Sequence, residues 1–336
     1  MKRLIASVFV GAMLLVYTPC DKAWAYSDLY VLGDSLSDQG NFFGTTAYLQ
    51  SQGVNVPLTP PLEYTDGTTY GRFTNGRNYI DYLAPKLGLT STSSLLGGNN
   101  YAYVGARTDA HPQLGFAASL LGQYATYNST HAAADPNALY IVWAGANNLK
   151  DILLPPSGTP LSSAQIAQEL FDTVGDVAQV ISSLAGIGAR NILVPNLPDL
   201  GIVPLATGGG APNADATFLA ASYNALLDSV LDNFSAINLM RFDSFSFVDD
   251  VYYNPAKYGL SDVTGVAYDK FVEAGGSAVA NPDEYLSWDG FHPTSAAHSL
   301  LADGIYRSAV PEPSSLLLLG TGLAGFVCLR RIKRRK

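Results

Sequence analysis

The segment Leu29-Tyr30-Val31-Leu32-Gly33-Asp34-Ser35-Leu36 joins a short apolar run to a polar turn. Four consecutive apolar residues closed by a glycine are typical of a strand in a parallel sheet, which is covered on both faces. Because the glycine ends the strand, the polar residues that follow stand at the carboxyl edge of the sheet. Open α/β sheets carry their functional sites at this edge. The stretch therefore predicts an α/β protein with Ser35 at its functional edge.

Strand and helix patterns alternate along the rest of the body. Four further apolar runs indicate strands, the last at an edge of the sheet: 139–143, 192–194, 238–242 and 101–104. Apolar residues recur at helical spacing over three segments: 162–186, 215–233 and 294–305. Ser162 and Gln165 form a capping box at the start of the first helix, and Phe218 and Leu226 are expected on the core face of the second. The alternation predicts a mostly parallel, five-stranded sheet with helices packed on it.

One long segment, residues 245–287, shows no regular pattern. Loops of this length are usually functional or disordered. We therefore expect it to form a lid or a wall beside the site.

The N-terminal segment, residues 1–25, differs from the body. It has a charged start, an apolar middle and the triplet Ala23-Trp24-Ala25. This order indicates a signal peptide cleaved after Ala25. The alternative is an uncleaved membrane anchor.

The C-terminal segment, residues 310–336, is also distinct. It begins with Val310-Pro311-Glu312-Pro313, continues as a short apolar run and ends in a basic cluster. These features resemble the PEP-CTERM sorting signal. The resemblance implies export to a Gram-negative cell envelope, surface or extracellular matrix, and an exosortase-type processing enzyme as partner. The alternative is a plain membrane anchor, for which the apolar run is short.

The body, residues 26–309, is acidic and has no cysteine. It carries 10 Lys and Arg against 26 Asp and Glu, a net charge of −16, and both cysteines lie in the end segments. Without disulfides its stability must come from its core, which a chain of this size can bury. The charge repels nucleic acid and anionic surfaces. We therefore expect a neutral substrate and no nucleic-acid partner.

Three blocks of the body contain residues that suit nucleophilic catalysis. A serine nucleophile needs an exposed hydroxyl, a base and N–H donors for the oxyanion; Ser35 suits this role, although its tetrapeptide alone also fits an ordinary turn. Asp289 and His292 could place a carboxylate on one ring nitrogen and leave the other for the serine, or could form only a turn and a cap. Asn147, just past a strand, could donate to an oxyanion or merely cap a helix.

Four blocks, in this order along the chain, resemble the GDSL (SGNH) lipase and esterase family. The resemblance covers nearly the whole body, Ser27 to Arg307. The blocks are Gly33-Asp34-Ser35-Leu36-Ser37-Asp38 with Gly40-Asn41, Asn100-Tyr101-Ala102 with Gly105-Ala106, Gly145-Ala146-Asn147-Asn148, and Trp288-Asp289-Gly290-Phe291-His292-Pro293-Thr294.

The resemblance implies a three-layer α/β/α sandwich of the flavodoxin-like kind. It also implies hydrolysis of carboxylic esters through an acyl-enzyme. By matching position, Ser35 would be the nucleophile, His292 the base and Asp289 its orienting carboxylate. The backbone N–H groups of Ser35 and Gly105, with the Asn147 side chain, would form the oxyanion hole.

Two positions depart from the family pattern. Asn148 stands where the family usually has Asp, and Val104 where many members have glycine. No cluster of His, Cys, Asp and Glu has the spacing of metal ligands, so neither a metal nor another cofactor is expected. His298 fits an ordinary residue of the last helix. Five aromatic residues fit either the substrate cleft or the core: Phe42, Phe43, Phe73, Tyr101 and Tyr103.

The sequence leaves the substrate open among ester classes. Short-chain esters, lipids or phospholipids, and acetylated polysaccharides all fit a neutral-ester hydrolase. A different class of function is a surface-displayed binding or matrix protein on an inactive hydrolase fold, since fold does not imply activity. Retention of both Ser35 and His292 argues against that second class.

Overall fold

The computed structural model describes residues 26–110, 115–269 and 277–310. Its centre is a parallel sheet of four strands in the order β1-β2-β3-β4. The strands are β1 Leu29–Gly33, β2 Leu139–Trp143, β3 Asn191–Pro195 and β4 Asn238–Phe242. Strands β2 and β3 are buried along their whole length, because helices cover both faces of the sheet. The signal peptide predicted at 1–25 and the tail beyond Val310 lie outside the described residues.

Nine α-helices accompany the sheet within the described part of the chain. They are α1 Asn41–Ser51, α2 Tyr79–Lys86, α3 Leu120–Thr130, α4 Ala146–Leu153, α5 Ser163–Gly186, α6 Pro204–Thr207, α7 Ala214–Leu231, α8 Ser244–Tyr253 and α9 Ser295–Ala309. None of these described helices is long and apolar enough to cross a membrane.

The helices lie on both faces of the sheet. On β2, Tyr140 and Trp143 are three residues apart and point to opposite faces, since strand side chains alternate. The Tyr140 ring lies edge-on to Tyr127 of α3, and the Trp143 ring edge-on to Tyr79 of α2 at 5.3 Å. Helix α5 packs on α3 and α7, whereas α2 packs on α9. The architecture is therefore the expected three-layer α/β/α sandwich.

The fifth strand expected at 101–104 does not form, so the five-stranded sheet is wrong for the described residues. Backbone groups of residues 99–103 bond to Val31 and Gly33 at 2.8–3.1 Å, which makes only a parallel bridge along the free edge of β1. The side-chain oxygen of Asn100 accepts the backbone N–H of Ala102 at 3.0 Å. Such local side-chain bonds compete with regular strand pairing.

Two helices begin where the sequence predicts. Helix α5 follows Ser162, both bonds of the capping box with Gln165 are present, and the helix ends at Gly186. Helix α9 follows Thr294, whose hydroxyl accepts the Ala297 N–H at 3.2 Å. The capping residues therefore fix where both helices begin.

The core face expected for α7 is wrong. Phe218 is 74% exposed and Leu226 is 37% exposed. The helix is rotated so that a different set of residues, spaced three or four apart, faces its neighbours. Its buried residues are Ala216, Leu219, Ala220, Tyr223, Leu227 and Leu231.

The segment 245–287 is more regular than its sequence suggests. It contains most of α8 and two small sheets, one pairing β5 Asp262–Val266 with β8 Tyr285–Ser287 and one pairing β6 Tyr268–Asp269 with β7 Ser277–Ala278. Residues of α8 and β8 line the cavity next to Ser35. The segment is thus a structured wall, of which residues 270–276 lie outside the described part.

Candidate active site

The turn after β1 places Ser35 at the carboxyl edge of the sheet. Gly33 ends the strand. A Cβ at this position would lie 2.6 Å from the carbonyl oxygen of Trp143 on β2, so the position excludes larger residues. Beyond it, the Asp34 carboxylate accepts the Leu36 N–H at 3.0 Å, and the Asp34 carbonyl accepts two further amides at 3.0 Å each. These bonds fix the turn that carries Ser35.

A second turn, far along the chain, brings an imidazole to the serine. Asp289 Oδ1 accepts the backbone N–H groups of Phe291 at 2.8 Å and His292 at 2.7 Å, which closes the turn. Asp289 Oδ2 lies 2.9 Å from His292 Nδ1. The other ring nitrogen, Nε2, lies 2.9 Å from Ser35 Oγ. The structure thus brings Ser35, His292 and Asp289 together in one hydrogen-bonded row, and all three are buried.

The charges in this row suit proton transfer from the serine. Burial alone would raise the pKa of Asp289, but the adjacent imidazole and two backbone N–H groups outweigh it and lower the pKa to about 2. The carboxylate is therefore ionised at neutral pH and favours a proton on His292 Nδ1. That tautomer, inferred from the hydrogen bonds, leaves Nε2 to accept from Ser35. Beside the serine, burial raises the pKa of Asp34 to about 6.

Two aromatic residues hold the acid–imidazole pair. The Tyr64 hydroxyl donates to Asp289 Oδ2 at 2.9 Å, and the Phe73 ring lies 4.9 Å from the His292 ring. Tyr64 also packs edge-on against Trp288. The sequence predicts Phe73 as a cleft or core aromatic and gives no signal for Tyr64. No local pattern marks Tyr64, since its partner lies 225 residues further along the chain.

Asn147 lies in the first turn of α4, just past β2. Gly145 precedes the helix with φ 121°, and a Cβ there would lie 2.8 Å from a tyrosine hydroxyl of α7. Asn147 Nδ2 donates to the Ala106 carbonyl oxygen at 3.1 Å. Because an amide nitrogen carries two hydrogens, a second remains for another acceptor. Asn148, the departure from the family pattern, has a structural contact instead: its Oδ1 accepts the Thr108 N–H at 3.0 Å.

Gly105 lies in a turn held against the same edge of the sheet. Its φ of 71° favours glycine. The Val104 N–H donates to Asp38 Oδ2 at 3.1 Å. The Tyr103 N–H donates to the Gly33 carbonyl oxygen at 3.1 Å. Since Gly33 stands two residues before Ser35, the turn lies next to the serine loop. Among the described residues neither the Ser35 nor the Gly105 N–H has an acceptor.

Other residues singled out from the sequence lie away from this row. His298 is buried against Tyr79, and burial lowers its pKa to about 3. Tyr101 and Tyr103 line a separate cavity of about 930 Å³ at the β1 edge. In the part of the chain that the structure describes, no three His, Cys, Asp or Glu side chains form a group able to hold a metal.

Two family models match segments of this chain. Residues 29–305 match the family model described as GDSL-like lipase/acylhydrolase. The chain belongs to this family. Residues 309–335 match the PEP-CTERM protein-sorting motif. The protein is therefore a hydrolase of the GDSL esterase and lipase class that carries an export sorting signal, as both resemblances predicted.

Individual relatives are distant but cover most of the chain. A GDSL esterase/lipase of Arabidopsis thaliana is 27% identical over 84% of this chain and 89% of its own length. Lipase 1 of Photorhabdus luminescens is 25% identical over 92% of this chain, which spans 54% of that lipase. Among solved structures, Axe2, an acetylxylan esterase from Geobacillus stearothermophilus, is 13% identical, with a TM-score of 0.46 over 87% of this chain and all of that one.

Proposed function

We propose that this GDSL hydrolase cleaves neutral carboxylic esters through a covalent acyl-enzyme formed on Ser35. The observation that carries the proposal is the unbroken row from Ser35 Oγ through the His292 ring to the Asp289 carboxylate, with both nitrogen contacts at 2.9 Å. This arrangement supplies a nucleophile, a base and an orienting carboxylate.

In the first step, His292 Nε2 takes the proton of Ser35 Oγ as the oxygen attacks the ester carbonyl. Asp289, ionised in this site, stabilises the imidazolium that forms. Collapse of the tetrahedral intermediate breaks the bond to the alcohol, which takes the proton from Nε2. Water then attacks the acyl group with the same base, releases the acid and restores the serine.

The negative charge on the tetrahedral oxygen needs donors already in place. The N–H groups of Ser35 and Gly105, which have no acceptor among the described residues, and the second Nδ2 hydrogen of Asn147 are the donors in this proposal. Donors fixed before the reaction stabilise developing charge without reorganising. The net charge of −16 over residues 26–309 disfavours anionic substrates, which restricts the proposal to neutral esters.

The proposal is tested by removing the nucleophile alone. Ser35→Ala should lower kcat on a nitrophenyl ester by at least roughly 10³-fold, because no other group can form the acyl-enzyme. Ser37→Ala is the matched control, since its hydroxyl hydrogen-bonds to Tyr79 at 2.9 Å rather than to the His292 ring, and its loss should leave kcat within a few-fold. Unchanged turnover in Ser35→Ala would refute the assignment, and an inactive wild type would favour the binding or matrix protein instead.

We also propose that an exosortase-type enzyme recognises the C-terminal motif and removes the tail after export. The matched motif at residues 309–335 supports this. In a host with such an enzyme, mass spectrometry of the surface protein should find no peptide from residues 316–336. Recovery of the intact C-terminus from that host would support a plain anchor instead.

A further inference from the structure

The cavity of about 930 Å³ at the β1 edge lies apart from the catalytic row. Its walls come from α1, from the loop that follows α2 and from α3, which contribute Thr45, Thr90 and Thr126. The described residues that line it include neither Ser35 nor His292. Its volume is near the upper end of the ~300–1,000 Å³ range of small-molecule sites. The cavity therefore has room for a ligand of more than one ring, at a place that the ester chemistry does not use.

Most side chains at the walls of this cavity can form hydrogen bonds. Glycines aside, only Leu95, Ala117 and Ala118 have purely apolar side chains among the described lining residues. No Lys or Arg stands among those lining residues, and Asp28 is their one carboxylate. An alkyl chain would cover the polar groups and separate them from water, and a polyanion would meet no permanent positive charge. The walls therefore suit an uncharged ligand rich in hydroxyl groups.

Three tyrosines complete the walls: Tyr30, Tyr101 and Tyr103. The Tyr30 ring stacks with Tyr140, with the ring centroids 5.2 Å apart, and the Tyr101 ring lies edge-on to Tyr127 at 5.7 Å. Side chains that are fixed before binding lose little conformational freedom when a ligand arrives. A pyranose has C–H groups on its faces and hydroxyls around its rim. It can therefore rest on an electron-rich aromatic face while its hydroxyls bond to the polar walls.

The β1 edge beside the cavity disfavours an extended peptide as the ligand. Such a peptide would bind by pairing its backbone with a free strand edge. The Tyr101 N–H already donates to the Val31 carbonyl oxygen at 2.8 Å, and the Val31 N–H donates to the Asn99 carbonyl oxygen at 3.1 Å. Because this part of the edge is paired within the chain, side chains must provide most of the contacts with a ligand.

We propose that this cavity binds a neutral carbohydrate chain of more than one sugar unit. Asn99 Nδ2 donates to Asp28 Oδ1 at 2.6 Å and so fixes the one carboxylate, which can accept hydrogen bonds from sugar hydroxyls. Thr90 and Thr126 are exposed to solvent, so a chain longer than the cavity can extend beyond it. Binding here does not require ester hydrolysis. The site would hold the protein on a polysaccharide whether or not that polymer carries the ester that is cleaved.

The proposal is tested by isothermal titration calorimetry of the exported protein with neutral hexasaccharides of glucose, xylose, mannose and galactose. At least one of the four should bind saturably. Hexagalacturonate, which has a similar length and a carboxylate on every unit, should not bind, because the walls offer no permanent positive charge.

Four variants locate the binding. Thr126→Trp on α3 and Thr90→Trp in the loop after α2 each place an indole in the cavity and should weaken binding by about tenfold or more. Ala125→Trp adds the same side chain at the neighbouring exposed position of α3, which does not line the cavity, and should leave the affinity unchanged. Ser35→Ala should also bind as tightly as the wild type. Circular dichroism and thermal melts show that each variant is folded.

The outcomes separate this site from the ester chemistry. Absence of binding to every neutral hexasaccharide, or binding that neither Thr126→Trp nor Thr90→Trp weakens, would overturn the carbohydrate site. Tighter binding of hexagalacturonate would overturn the neutral ligand class, and loss of binding in Ser35→Ala would move the sugar to the catalytic site. Carbohydrate binding without hydrolysis of any ester would refute the proposed function and leave this site standing.

Discussion

At the scale of single residues, Asp289 is the most constrained group of the site. One carboxylate oxygen accepts two backbone amides, and the other accepts the Tyr64 hydroxyl while both face the His292 ring. With its oxygens so engaged the carboxylate cannot rotate without breaking bonds. Its orientation is therefore set before substrate binds, which is what electrostatic preorganisation requires.

Tyr64→Phe should lower kcat by about tenfold with little change in KM. The substitution keeps the ring packed on Trp288 and removes only the bond to Asp289. A hydrogen bond to a charged group contributes about 1.5 kcal/mol or more, which corresponds to that factor. Tyr82→Phe is the control, because it also removes a tyrosine hydroxyl, one that is bonded to the neutral hydroxyl of Ser295 and not to the row. An equal loss of kcat in both variants would show that Tyr64 acts only through stability.

Asn147→Ala should lower kcat by roughly 10²–10³ with KM little changed, since an oxyanion donor acts in the transition state. Asn148→Ala is the matched control: it breaks the bond to Thr108 and should lower the melting temperature while folded enzyme turns over normally. Steady-state kinetics and thermal melts on both variants make the comparison. If Asn147→Ala melts early yet retains kcat, its amide is only a structural bond to Ala106.

The sequence could indicate Ser35, Asp289 and His292 because each stands in a short block whose local spacing already fits its proposed role. It could not indicate Tyr64, whose contact joins positions far apart along the chain. Such contacts depend on tertiary packing, which leaves no periodic trace in one sequence.

At the scale of elements, the predictions are confirmed where residues close together in the sequence determine the structure. Helix α5 follows its capping box, and β2 follows a continuous apolar run. The predictions are wrong where contacts with other elements determine the structure. Helix α7 turns a different face inward, and residues 99–103 pair with β1 without forming a regular strand. Rotation of a helix and pairing at a sheet edge depend on neighbouring elements, so propensity alone does not fix them.

Helix α8 carries a carboxylate whose burial makes stability depend on pH. No described donor reaches Asp249 Oδ1, and burial with the nearby carboxylates of Asp199 and Asp243 raises its pKa to about 6. Its unfolded pKa lies lower, so between these values the folded state binds more protons. The cost of ionising Asp249 is therefore absent below about pH 4 and fully present above the folded pKa.

Asp249→Asn should therefore raise the free energy of unfolding by about 1 kcal/mol at pH 8 and leave it unchanged at pH 4. This is less than the full pKa shift would give, because solvent screens a partly exposed carboxylate. Denaturant titrations at both pH values measure it. Asp250→Asn is the control at the next residue: it loses the ion pair with Lys257 and should not raise the free energy of unfolding at either pH. A gain for Asp249→Asn of equal size at both pH values would rule out titration of Asp249 as the cause.

At the scale of the whole molecule, residues 26–309 form one compact unit built without cysteine. The fold class and the family followed from the sequence, because strand–helix alternation and four ordered blocks both span the body. The domain limits at residues 25 and 310, and the cleavage events that they imply, remain predictions. They rest on end segments that lie outside the described residues, apart from Val310.

The proposed function depends above all on Ser35 being the nucleophile of one continuous proton-transfer row. Treatment with an aryl organophosphonate, followed by peptide mass spectrometry, identifies the nucleophile itself. We expect one label per chain on Ser35, activity lost in proportion to labelling, and no label in His292→Ala, which lacks the base. A label on another residue, or full turnover by protein already labelled at Ser35, would exclude Ser35 as the nucleophile.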